Sequence, residues 1–244
     1  MDRANKIVLD VLLGLSEMVM PGVTTLDLDR AAEGWTREAG ATPAFKGYRG
    51  YPSARCASPN DVIVHGIPST EPLKDGDILG LDYGVLFEGF YGDAAMTVRV
   101  GKIGQEVERL LRVTEESLRL GIEEVRVDKR VQDIGFAIQH HAEKHGYSVV
   151  YDFTGHGVGR KLHEDPLVPN YGKPGMGEKL VDGMVLALEP MVCAGRSELV
   201  VEDDQWTART VDGSLSAHFE RSVAVTPKGP WILGEQPGPM GVPL

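Results

Sequence analysis

The octets "DGDILGLD" at residues 75–82 and "DGMVLALE" at residues 182–189 decide how this chain folds. Asp75 and Gly76 match Asp182 and Gly183, Leu79 matches Leu186, and the closing acid Asp82 falls on Glu189. Each octet opens on a turn pair, runs through apolar residues at strand spacing and ends on a carboxylate. A second match follows, in which "DAAMTVRV" from Asp93 lies on "ERSVAVTP" from Glu220. Working outward, each strand section is preceded by two helical patterns. Ile7, Val8, Val11, Leu12, Leu15 and Met18 fall at helical spacing over 4–20, and Pro21 and Gly22 stop that run. Thr25 opens a second helix that Gly40 ends. The later half repeats this with helices over 104–124 and 131–146. The order helix, helix, strands therefore occurs twice. It predicts an α+β fold, a pseudo-twofold repeat with helices packed outside a central sheet. No linker separates the halves, about 1–102 and 103–244, so the expectation is a single domain over 1–244.

Net charge of −11 argues against a chain that binds DNA or RNA through phosphate contacts. No run reaches the roughly 18 to 20 apolar residues of a membrane span. The two cysteines, Cys56 and Cys193, make a poor disulfide framework and suit a reducing cytoplasm. Glycine, 30 residues of 244, exceeds the usual share of about 7%. It is concentrated in apolar segments, which points to turns and close backbone approaches.

The acids are the anomaly. In "ILGLDYGV", Ile78, Gly80, Asp82 and Gly84 share one face of a strand. Glu189 follows three apolar residues, and Asp93 and Glu220 stand in similar contexts. A buried unpaired charge costs several kcal/mol unless something compensates. Each acid could have its own lysine or arginine, or one or two divalent cations could resolve all four costs together. The second solution suits the glycine-flanked His156 in "TGHGVGRKLHEDP" (154–166), since carboxylates with imidazole fit Mn, Co, Fe or Zn.

These residues also carry a resemblance. In this order, "GYRGYPSARCASPNDVIVHGIP", "LKDGDILGLDYGVLFEGFYGDAAMTVRVGK", "GHGVGRKLHEDP", "DGMVLALEPMV" and "SLSAHFERSVAVT" resemble the short bacterial type I methionine aminopeptidases, over about residues 4–234. The resemblance implies the pita-bread fold, with a curved, mainly antiparallel sheet. It also implies a catalytic role for the domain and a site for two divalent metal ions. Asp82, Asp93, His156, Glu189 and Glu220 match the five ligands. His163 matches a histidine that contacts substrate beside the scissile peptide, and His65 one that positions substrate or handles protons. Glu189 also matches the proton shuttle. Tyr48, Tyr51, Cys56 and Trp206 match the wall of the methionine pocket, although each could equally be ordinary core packing.

The implied reaction is removal of an N-terminal methionine from peptides and nascent proteins by a metal-activated water. The implied protein is a cytoplasmic monomer acting on chains emerging at the ribosome. An Xaa-Pro aminopeptidase or dipeptidase of the same fold is one rival. A non-catalytic binding module is another, disfavoured because no ligand is missing. Val64, Leu162 and Arg221 depart from the commoner family residues, the first two near the expected pocket and Arg221 beside a ligand. His140, His141 and His145 read as surface residues of a helix. His218, two residues before Glu220, shares its strand face and is a candidate neighbour of the site.

Overall fold

The computed structural model describes residues 1–235; residues 236–244 of the expected domain lie outside the described residues. Helices α1 (Asp2–Met18) and α2 (Thr25–Glu38) come first, followed by strands β1 (Thr42–Pro43), β2 (Cys56–Pro59), β3 (Val62–Val64), β4 (Ile78–Phe87) and β5 (Phe90–Arg99). The second half has helices α3 (Gln105–Glu123) and α4 (Val131–Lys144), then β6 (Ser148–Val149), β7 (Gly155–Gly157), β8 (Glu164–Val168) and β9 (Val185–Leu188). After these come β10 (Met191–Cys193), β11 (Leu199–Val201), β12 (Ala208–Thr210), β13 (Ser216–His218), β14 (Glu220–Thr226) and β15 (Gly229–Ile232).

The expected helices form with trimmed ends. The first stops at Met18, ahead of the turn at Pro21. The second is capped by Thr24 and not by Thr25, because the Thr24 hydroxyl accepts the Asp27 N–H at 3.1 Å. The fourth ends at Lys144, with Gly146 at φ 83° just beyond.

The main sheet runs β1-β4-β5-β14-β9-β7-β8, with β2 on β4 and β15 on β14, and its registered pairs are antiparallel. The repeat is visible in this order. Strands β4 and β5 of the first half mirror β9 and β14 of the second, and β5 meets β14 at the centre. Two apolar cores lie behind the sheet. One joins Val8, Leu12 and Leu15 of α1 and Leu28 of α2 to Leu79, Leu81 and Tyr83 of β4. The other joins Leu110 and Val113 of α3 and Ile134 and Ile138 of α4 to Leu186, Leu188 and Val223. Each such fully buried side chain contributes about 1.5–3 kcal/mol. The helices thus occupy one face of the sheet and leave the other for the acids.

Candidate active site

Strand register brings the acids together. Asp82 pairs with Ala95, and Ala95 pairs with Glu220, so one row across β4, β5 and β14 reads Asp82, Ala95, Glu220. In the next row Gly84 pairs with Asp93 on one side, and Ser222, Ala187 and His156 align on the other. The Ser222 hydroxyl joins the two sides by donating to the Asp93 carbonyl at 2.8 Å. Glu189 stands two residues beyond Ala187 and therefore on the same face. Residues between the acids are small (Ala95, Gly84, Ser222, Ala187), so carboxylates from different strands can converge.

Asp93, His156 and Glu220 each place a ligand atom within 4.8 Å of the others, and all three are buried. His156 Nε2 is 3.9 Å from Asp93 Oδ2 and 3.6 Å from Glu189 Oε1. Its Nδ1 lies 2.8 Å from the Gly157 carbonyl, which can only accept, so Nδ1 carries the hydrogen and Nε2 presents its lone pair to the acids. The flanking glycines are required by close approach. A Cβ at Gly155 would stand 2.3 Å from the Ala187 carbonyl oxygen, and one at Gly157 would stand 2.2 Å from that of Asp165. A buried polar side chain supports Asp93 from behind, where Asn5 of α1 accepts its backbone N–H at 3.2 Å.

The fit of a cation can be tested on these atoms. Among the described residues, no lysine or arginine forms an ion pair with Asp82, Asp93, Glu189 or Glu220, so separate ion pairing does not account for them. Asp82 Oδ1, Asp93 Oδ1 and Glu220 Oε1 are buried without a hydrogen-bond partner. Burial lifts the Asp82 carboxyl to about 7, against the pull of the Cys56 thiol and the Arg55 guanidinium. Burial and the mutual repulsion of the acids push Asp93, Glu189 and Glu220 well above the usual carboxylate range. An oxygen-rich set with one imidazole and unspent negative charge is a donor set for a hard or borderline divalent cation.

Around the acids lies a cavity of about 150 Å³, whose lining includes Tyr48, Tyr51, Cys56, His65, His163 and Trp206. The same wall holds Phe45 and Leu162, which pack with Tyr51 and Cys56. The Tyr51 hydroxyl reaches the Gly66 carbonyl at 2.8 Å, and its ring meets Trp206 edge-on at 5.1 Å. His163 sits with its ring 4.1 Å from that of His156, and His65 lines the same cavity with its ring edge-on to Phe153 at 5.2 Å. Burial holds His65 down to about 4, and burial with the neighbouring His156, Arg49 and His65 does the same to His163. Both rings are therefore neutral near pH 7.

The departures fall into place. Leu162 is a pocket wall, while Val64 packs with Ile63, Met191 and Cys193 and lines only an adjoining groove of about 840 Å³. Arg221 points away from the acids, its Nε donating to Glu235 at 2.7 Å, as alternation along β14 requires. His218 is buried 3.8 Å from Glu189 Oε2, with its Nε2 unpartnered. His140 is exposed and stacks on Phe136, whereas His141 and His145 are half-buried, His141 lying 3.1 Å from Glu116. Phe45, Asn5 and Arg49 escaped sequence reasoning. The glycines around Tyr48 were the signal for Arg49, while nothing local marks Asn5.

Known proteins resemble this chain over nearly its whole length. A methionine aminopeptidase of Clostridium perfringens is 53% identical over 233 residues, 96% of this chain and 94% of that protein. The solved methionine aminopeptidase of Thermotoga maritima matches with TM-score 0.95 at 43% identity, covering 97% of this chain and 95% of its own. Prolidase from Pyrococcus furiosus shares the fold at TM-score 0.79 and 19% identity, with 96% of this chain covering 62% of that one. The pattern of the metallopeptidase family M24 matches residues 1–227, a span that includes every acid and histidine of the site, and the chain belongs to that family.

Proposed function

We propose that this metallopeptidase removes the N-terminal methionine from peptides and nascent chains. The observation that carries the reading is the convergence of Asp82, Asp93, His156, Glu189 and Glu220, with unpartnered buried oxygens, on a small cavity walled by Tyr51, Cys56, Leu162 and Trp206. Family membership and the names of close full-length relatives support it. We assign those five residues as ligands of two divalent ions, drawn from Mn, Co, Fe and Zn. When bound, such ions supply Lewis acidity, making a water more acidic and a carbonyl more electrophilic.

The chain's own groups do the rest. The carboxylates draw a free amino terminus, and the small cavity takes one side chain. Aromatic rings and the Cys56 sulfur suit a flexible thioether. His163 donates to the first peptide oxygen as negative charge develops there. Glu189 takes the proton from the attacking water and passes it to the leaving amine. His65, neutral and lining the same cavity as His163, orients the peptide.

No described helix is long and apolar enough to cross a membrane, and both cysteines are free and buried. The free thiols suit a reducing cytoplasm, and we take chains leaving the ribosome as the substrates. We read the protein as one catalytic domain acting as a monomer. The test is methionine release from Met-Ala-Ser by metal-free protein, then with Mn, Co or Fe, beside His156→Ala. Metal-dependent release that vanishes in the variant is expected. Cleavage of Xaa-Pro peptides without methionine release would instead place the protein with the proline-specific enzymes, and no turnover with any metal would leave a binding module.

A further inference from the structure

The turn that carries Tyr48 is more tightly built than a pocket wall requires. Residues 45–51 close on themselves through backbone bonds. Tyr48 N–H donates to the Phe45 carbonyl at 2.9 Å, Gly47 N–H to that of Tyr51 at 2.8 Å and Tyr51 N–H to that of Tyr48 at 2.9 Å. Between Gly47 and Gly50, Arg49 takes a left-handed conformation at φ 49°, ψ 21°. A side chain adopts this only at some cost, and the strain invites a functional reason. Glycine would remove the cost, yet the chain has arginine. The Arg49 guanidinium lies over the Tyr48 ring, 5.5 Å from its centroid, in a cation–π contact. The ring so held stacks against His163, with centroids 5.3 Å and planes 20° apart. The Tyr48 hydroxyl is 2.9 Å from His163 Nδ1, its one hydrogen-bond partner among the described residues.

A phenol O–H can donate as well as accept, so the hydroxyl is an available donor. A neutral imidazole that accepts at Nδ1 must carry its own hydrogen on Nε2. We propose that Tyr48 is the positioning residue for His163: its hydroxyl, clamped by Arg49, donates to Nδ1 and fixes the tautomer whose Nε2–H is offered to the substrate's first peptide oxygen. Without that hydroxyl the neutral ring is free to put its hydrogen on Nδ1 and present a lone pair to an oxygen gaining negative charge. The hydroxyl thus has a task apart from the methionine pocket, for which the ring suffices. Only the kinetic consequence rests on the aminopeptidase reading; the tautomer belongs to the protein alone.

Tyr48→Phe keeps the ring and deletes the hydroxyl. Nitrogen-15 NMR of histidine-labelled protein, metal-free and zinc-loaded, reads which nitrogen of His163 bears hydrogen, with His163→Asn assigning the signal. The expected result is a single Nε2–H form in the parent protein and a tautomer mixture in the variant. With Mn and Met-Ala-Ser, kcat should fall about 10- to 100-fold, while KM moves less than about twofold. In a His163→Asn background, Tyr48→Phe should have no further effect, as for two residues acting through one interaction. An undisturbed Nε2–H form in Tyr48→Phe, additive losses in the double variant, or a rise in KM alone would overturn the proposal. If the parent protein released no methionine, the functional reading would fall while the NMR result still decided the tautomer.

Discussion

Asp82, Asp93, Glu189 and Glu220 crowd one face of the sheet without a basic partner, and this dictates how the metal-free protein responds to pH. An aspartate ordinarily titrates near 3.8, but burial lifts Asp82 to about 7 and its three neighbours well above their usual range. Between those values the folded chain holds more protons than the unfolded chain, so stability falls as pH rises. These groups therefore lower the stability of the metal-free protein from about pH 4 toward pH 7, while His65, His163 and His218, held low by burial, work in the opposite direction. Added Mn should restore more stability at higher pH, because binding displaces the protons. Thermal melts with a chelator and with Mn across that range check this; an Mn-induced rise in Tm no larger at pH 7 than at pH 5 would count against it. The acids were legible in the sequence because a carboxylate inside an apolar strand is an anomaly that needs no partner to be noticed. Asn5 was not legible, since its value lies in a bond to Asp93 across 88 residues of chain.

At the scale of elements, the glycines divide into two kinds, and their alanine variants should separate them. Gly155 of β7 faces the Ala187 carbonyl so closely that a Cβ must displace a strand. Gly155→Ala should cost about 1–3 kcal/mol and weaken Mn binding, since it shifts the strand that carries His156. Gly34 of α2 is exposed and has nothing within 4 Å of where a Cβ would sit. Gly34→Ala should raise stability by about 0.5–1 kcal/mol. Urea unfolding with calorimetric Mn titration reads both; an unchanged Gly155→Ala would contradict the steric argument. Helix positions were readable from apolar spacing, because one buried stripe per helix suffices to place it. Their ends were less so. Thr24 and Thr25 look alike in sequence, and the choice of cap is made by which hydroxyl reaches the Asp27 N–H.

At the scale of the molecule, the repeat in the octets became the mirrored strand order β4-β5-β14-β9, and this was the most legible feature of the fold. What the repeat could not reveal is the fine register, which sets Ala95 between Asp82 and Glu220 and leaves Val64 outside the pocket. Because β5 pairs with β14 and the acids come from both halves, metal-loaded protein should unfold in one calorimetric transition, with calorimetric and van't Hoff enthalpies equal. Two resolved transitions would mean that the halves are separate folding units.

The pairing of β5 with β14 also imposes a timetable. Strand β5 is made long before its partner, which starts only at Glu220, after helices α3 and α4 and strands β6 to β13. While synthesis continues, one side of β5 remains an open edge with unspent backbone hydrogen bonds, the kind of edge that recruits stray strands. Asp82 and Asp93 wait beside it without Glu189 or Glu220. Metal capture thus waits for Glu220, and a chain interrupted before Glu189 has half a site and a sticky edge.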